Sequence, residues 1–391
     1  MKHDVVITGI GLLSSLGEGV EAHAELLNAA PANTAQPHGP FLIHPLCDVD
    51  FDRQIPKKGD QRQMEAWQRI GVYAAGLALD DAGIKGNNDL LSQTHMIVAA
   101  GGGERDEAVD ASVLEGLQTA DNKGAYLNER LMNDLRPTLF LAQLSNLLAG
   151  NISIVHGVTG TSRTFMGEEL CGVDALRTLQ ARIAHGQAEI GLVGGAFNAA
   201  RKDLMLNYAF EDLLLSAPFA PVWSRNERHG GMAMGSAGAF LVLESRDHAE
   251  KRGANIRAKL TQVETDRCSR NVGEMENSLK SLFEKLALQP EKNLAVLSCA
   301  NGAAPITEQE ENFWQSVDEN VALRAIGTVA GHSFEAQAPF ACALAALALD
   351  AQKFFAPFEA KEKTFSQNLG QVIVSCCGHW RGEGLMLLEK A

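Results

Sequence analysis

The chain lacks several things that would sort it quickly. Its seven cysteines, an odd number spread from Cys47 to Cys377, contain no CxxC pair and offer no disulfide framework. Proline is scarce, 12 residues against 37 glycines, and no Pro/Ser-rich stretch divides the 391 residues. One compact unit is therefore expected in place of two hinged domains. Long hydrophobic runs are missing too. The apolar stretch around Phe340–Leu349 falls well short of the roughly 20 residues that span a bilayer. Met1-Lys2-His3-Asp4 runs straight into Val5-Val6-Ile7 without signal-peptide anatomy, so the expected compartment is the reducing cytoplasm. Basic excess is absent: 34 Lys and Arg against 48 Asp and Glu leave a net charge of −14. That argues against general nucleic-acid binding. One small basic cluster, Lys57, Lys58 and Arg62 in KKGDQR, reads first as a solvated helix start.

What is present is globular: 46% apolar and 21% charged residues. Strand-like runs alternate with helical stretches along the whole length. Val5–Thr8, Met96–Ala100, Ile152–Val155, Ile190–Val193, Ala239–Leu243, Ile256–Thr265, Leu294–Ser298, Val372–Ser375 and Leu385–Leu388 read as strands, the last two as a pair. Gln63–Ala82, Thr138–Ala149, Glu168–His185, Asn277–Leu288 and Phe334–Ala351 read as helices. This alternation predicts an α/β protein with strands buried between helix layers. The similar element order in the two halves suggests an internal duplication.

Three familiar motifs fail on inspection. Gly9-Ile10-Gly11 follows a strand, but Ser14 stands where a dinucleotide-binding loop needs its third glycine. Gly160-Thr161-Ser162-Arg163-Thr164 lacks the second glycine of a nucleophile elbow. The histidines and cysteines show no metal-ligand spacing along the sequence, so neither a metal nor a cofactor is expected.

Four segments, in order, resemble the β-ketoacyl-acyl carrier protein synthases, thiolase-fold condensing enzymes of fatty acid and polyketide synthesis. They are Val5–Gly11 with Ser14 and Gly17, and Arg62–Gly83; then Asn146–Gly150 through Gly160-Thr161-Ser162 to Gly194-Gly195-Ala196; then Met234–Gly238 through Glu244, His248-Ala249 and Arg252-Gly253-Ala254. The resemblance implies a thiolase-like α/β fold of two pseudo-symmetric halves, 1–250 and 251–391, layered α/β/α/β/α. It also implies a dimer and an acyl carrier protein as partner.

Enzymes of that family use a cysteine thiolate at a helix N-terminus, two histidines, a lysine and a Phe-Gly-Gly gate. The resemblance places the nucleophile nine residues after Gly160 and seventeen before Gly186, and both counts land on Glu169. Cys171 follows two residues later, roughly 200° around a helix. The first histidine position falls on Asn301, the second is kept as His332, and the lysine position falls on Gly327. The gate becomes His379 and Trp380, and the usual glutamate of Gly-Glu-Gly-Ala-Gly becomes Ser236. Such losses are similar to those of the chain length factors of polyketide systems. The implied function is a subunit that assists an active ketosynthase, as a heterodimer or homodimer, without carrying the acyl chain. Two alternatives stay open: an active synthase using Glu169, and a non-catalytic binding protein for acyl carriers or acyl chains. A carboxylate at a helix N-terminus is a poor base, and its acyl anhydride would hydrolyse easily.

Overall fold

The computed structural model of the chain describes residues 2–29, 31–136, 139–225 and 230–391, and all of their side chains except those at 141 and 142. Its principal elements are β1 (Val5–Ser14), α1 (Ala66–Asp81), β2 (His95–Ala100), α2 (Leu147–His156), β3 (Ser162–Met166), α3 (Glu169–Ala184), β4 (Ile190–Phe197), α4 (Lys202–Ala209), β5 (Ala237–Ser245), β6 (Ala258–Asp266), α5 (Glu274–Lys285), β7 (Leu294–Ser298), α6 (Ile306–Val317), β8 (Leu323–Ala325), α7 (Gln337–Asp350), β9 (Gln371–Cys377) and β10 (Glu383–Glu389). The ten strands run β8-β7-β9-β10-β6-β1-β5-β4-β2-β3 in one sheet, with the short strand Gly17–Glu18 beside β1.

The same pairing pattern occurs twice. From β1 outward the pairs are antiparallel with β5, antiparallel to β4, then parallel to β2 and β3. From β6 outward they are antiparallel with β10, antiparallel to β9, then parallel to β7 and β8. The two runs meet where β1 and β6 pair antiparallel. Helices α1 and α2 pack together, with α1 across β1, β5 and β4; α5 and α6 pack together, with α5 against β6 and β10. Helices α3 and α7 lie between the halves, touching strands of both. That gives the layered α/β fold expected from the sequence. Every residue of α7 from Gln337 to Leu349 is buried, which is why its pattern is apolar all round.

Several element boundaries differ from the sequence reading. Strand β1 runs through Gly9 and Gly11 to Ser14. Those glycines are not a loop. A Cβ on Gly11 would sit 1.9 Å from the Ala74 carbonyl oxygen, and one on Gly9 2.4 Å from that of Ala78, so the strand needs them to lie against α1. The helix expected over Thr138–Ala149 is two helices, Leu139–Ala142 and α2, with Thr138 outside the described residues. Ile152–Val155, read as extended, belongs to α2. There Leu148 and Ile152 share one buried face, and Gly157 ends the helix at φ 75°. Strand β3 had no counterpart in the sequence reading, because its alternation is polar and half-exposed.

Candidate functional site

Glu169 is the first residue of α3, which places its carboxylate where unpaired N–H groups and the helix dipole favour negative charge. Two histidines meet it there. His332 Nε2 and His379 Nδ1 each lie 3.1 Å from the same oxygen, Glu169 Oε1. Glu169, His332 and His379 are all buried. Burial works to raise the Glu169 carboxyl, but the two histidine hydrogen bonds outweigh it and hold the group well below the usual carboxylate range. His379 moves the other way: burial opposes its charge, yet the bond to Glu169 raises it.

Each side chain arrives on a rigid support. His332 follows Gly331 (φ 73°), and its backbone bonds β-like to Ala233 and Gly235. His379 sits in the turn after β9, closed by the Gly378 N–H donating to Gly382 O at 2.8 Å. Arg270 clamps that turn through the Gly378 carbonyl and Glu383. A Cβ on Gly378 would come 3.2 Å from Glu169 Oε2 and 2.4 Å from Arg381 O, so the turn is pressed against the carboxylate.

An aromatic wall covers the triad. His332 packs edge-on to Phe334 (4.6 Å between ring centroids), Phe334 on Tyr208 (5.1 Å), and Tyr208 stacks on Trp380 (5.7 Å, 20° between planes). Trp380 is 46% exposed, the outermost of these rings, and its Nε1 donates to Glu211 at 3.1 Å. Phe334 holds φ 43°, an uncommon backbone conformation for a bulky residue. The Tyr208 hydroxyl donates to Glu168 at 3.1 Å.

Two further carboxylates stand near. Glu168 is raised by its burial and by the charge of Glu169. Glu335, the third residue after His332, is buried against Gly101, and burial pushes it up to about 8. Tyr208, Phe334, Glu168 and Glu335 were not among the site residues read from the sequence. Only the step Glu168-Glu169 offered a signal, two acidic residues side by side at a helix start.

The remaining candidates stand apart. Asn301 is buried and its Oδ1 accepts from the Ala303 N–H at 2.8 Å, leaving Nδ2 without a partner. No hydrogen bond joins Asn301 to Glu169, His332 or His379 among the described residues. Its carbonyl instead accepts from Arg225, whose buried guanidinium also bonds the carbonyls of Ala220, Gly231 and Gly327. Arg225 thus ties together the loops that carry Asn301 and Gly327. The Cys171 thiol is raised well above its usual value by burial and points to the Gly167 carbonyl at 3.4 Å. Ser236 Oγ accepts from the Ala199 N–H.

Comparison with known proteins agrees with this architecture. The chain is 25% identical over 276 residues to 3-oxoacyl-[acyl-carrier-protein] synthase 2 of Vibrio cholerae; the match takes in 66% of this chain and 62% of that protein, less than two thirds of its length. Over the full length of both chains, the fold superposes with a TM-score of 0.81 at 18% identity on the structure described as the ishigamide ketosynthase/chain length factor. It also superposes, with a TM-score of 0.75 at 19% identity and full coverage of both chains, on a chain of AntDE:AntF, a type II PKS acyl-carrier protein in complex with its ketosynthase. The profile described as Beta-ketoacyl synthase, N-terminal domain, matches residues 2–249, well over half of the sequence. The chain belongs to the β-ketoacyl synthase family.

Proposed function

We propose that this chain is a ketosynthase-like subunit of fatty acid or polyketide biosynthesis, of the chain length factor type, that assists an active condensing enzyme and carries no acyl chain itself. One observation carries the reading: the helix N-terminus that holds the nucleophile in this family presents Glu169, whose Oε1 is already engaged by His332 and His379. An acyl group transferred to that oxygen would have to break both bonds and would leave a hydrolysable anhydride. The rings of Phe334, Tyr208 and Trp380, packed on one another beside His332 and His379, support the same reading of a site filled by its own side chains. The resemblance in fold to a ketosynthase/chain length factor is consistent with it.

The proposed partners are an acyl carrier protein and a second family subunit, either another copy or a cysteine-bearing ketosynthase. Strand β3 ends the sheet with its outer edge unpaired among the described residues, and Met166 on it is 73% exposed. A free edge of this kind is a template for a second chain. The division into halves at 1–250 and 251–391 belongs to this proposal, as does a cytoplasmic location. Among the described residues no helix is long and apolar enough to cross a membrane.

The test is intact-mass measurement after incubation with acyl-carrier thioester, alongside co-purification at native expression levels. The expected results are no covalent adduct and recovery of a second, cysteine-containing ketosynthase. A stoichiometric acyl adduct on the isolated chain would overturn the proposal.

A further inference from the structure

We propose that residues 355–363 form a strap that seals the β8 edge of the sheet, so that association through strand pairing stops at two chains. The sheet ends on β3 and on β8, and each of these strands has one strand neighbour among the described residues. The two ends are treated differently. Strand β3 is exposed or half-exposed along its length, whereas β8 is buried at all three positions although it pairs with β7 alone. An end strand normally leaves outward N–H and C=O groups to water or to another chain. At β8 the cover comes from the segment that follows α7.

Ala325 of β8 donates its N–H to Glu362 Oε1 at 3.1 Å, so a carboxylate takes the place of a further strand's carbonyl. The same carboxylate accepts from the Phe358 N–H at 2.7 Å and from Trp223 Nε1 at 3.2 Å. Arg324, a fully buried side chain of β8, grips the strap from the other side. Its Nε donates to the carbonyls of Phe355 and Ala356 at 3.1 and 3.2 Å, and its Nη2 to that of Lys363 at 2.7 Å. Glu359 fastens the middle, accepting from the Trp223 N–H at 3.0 Å and the Ser224 hydroxyl at 2.8 Å. Phe355 and Phe358 are buried, with ring centroids 6.0 Å apart, and anchor the segment in the core. Residues 355–363 contain no strand of their own, so the strap ends the sheet instead of extending it. Covering an edge with a loop is a known guard against end-to-end pairing. With β3 bare and β8 sealed, each chain offers one edge and pairing closes on two. A β3-to-β8 contact would not close and would lead to fibres. The part played by β3 rests on the assembly proposed above; the seal on β8 does not.

The experiment is sedimentation of the full chain at micromolar concentration, unaltered and as Glu362→Ala and Arg324→Met, with circular dichroism as the check on fold. The expected result is no species larger than two chains for the unaltered protein, and larger species that grow with concentration for both variants. Adding Met166→Lys to Glu362→Ala, which charges the other edge, should cut the share of those species about tenfold or more. Folded variants that stay at two chains, or growth that Met166→Lys does not reduce, would overturn the proposal. Where a variant fails to fold, hydrogen exchange on the unaltered chain decides the matter. The Ala325 amide should exchange about a hundredfold or more slower than an open amide, and exchange at the open rate would overturn the proposal. A monomeric unaltered chain would speak against pairing at β3, whereas a fast Ala325 amide would speak against the strap, so the two failures are distinguishable.

Discussion

Glu169 opens α3 with its carboxylate committed to two histidines, and under the proposed function it stands in place of the family's thiolate. If it only fills that place, Glu169→Gln should keep the fold and partner binding, because size and hydrogen-bonding reach are retained; thermal denaturation and co-purification measure both. Glu169→Cys should not restore condensation in a malonyl-carrier assay. Under the proposed function Asn301 and Gly327 stand where the family's other histidine and its lysine would be, and one lost oxyanion donor commonly lowers turnover about 10²–10³-fold. Turnover near that of an intact ketosynthase would show that those positions are misplaced. Away from the site, Glu310 is a fully buried carboxyl that accepts from Ser298 Oγ at 2.8 Å and Ser375 Oγ at 2.6 Å. Burial pushes it up to about 7 from the ordinary value of 4.5. The folded state therefore binds this proton more tightly than the unfolded one. Its ionisation weakens the fold as pH rises from about 4.5 to about 7, by up to roughly 3 kcal/mol. Glu310→Gln should flatten that part of the stability profile in denaturant titrations between pH 4.5 and 7.5; a parallel shift at every pH would contradict it.

At the scale of elements, the contact of β1 with α1 leaves no room for a side chain. Gly11→Ala would drive a methyl group into the Ala74 carbonyl, where the obstacle is backbone and cannot rotate away. The expected loss is about 3 kcal/mol or more, at or beyond the upper end for overpacked cores, read as a lower denaturation midpoint. Gly39→Ala makes a control, since nothing lies within 4 Å of a Cβ there and only its φ of 61° resists substitution. Helices α3 and α7 carry the complementary lesson. They were legible in sequence because each keeps a long uninterrupted helical pattern, whereas α2 was not. Its Ile-Ser-Ile-Val run has the composition of a strand, and only packing against α1 makes it helical. Strand β3 escaped for the opposite reason, being too polar to show a strand signal on an exposed edge.

At the scale of the whole molecule, the sheet ends on β3, whose outer edge is unpaired among the described residues and should recruit a second chain. Light scattering at micromolar concentration should find at least a dimer, alone or with a ketosynthase partner. Met166→Lys, which places a charge on that edge, should weaken the association about tenfold or more without altering the circular dichroism. A monomer both with and without a partner would count against the assembly.

The sequence by itself determined the alternation of strands and helices, the α/β class and the family, because these rest on periodicity and on short segments in fixed order. It also located Glu169, His332 and His379 one at a time. Only the tertiary structure decided that these three meet on one carboxylate oxygen, since they arrive from a helix start and two turns separated by 163 and 210 residues. The same holds for Tyr208, Phe334 and Glu335, which carry no motif and acquire their positions from how α4 and the turn just before α7 fold over α3. Chain order fixes what each residue can offer; proximity among buried groups is set by packing, which brings charges and rings together without regard to their spacing in sequence.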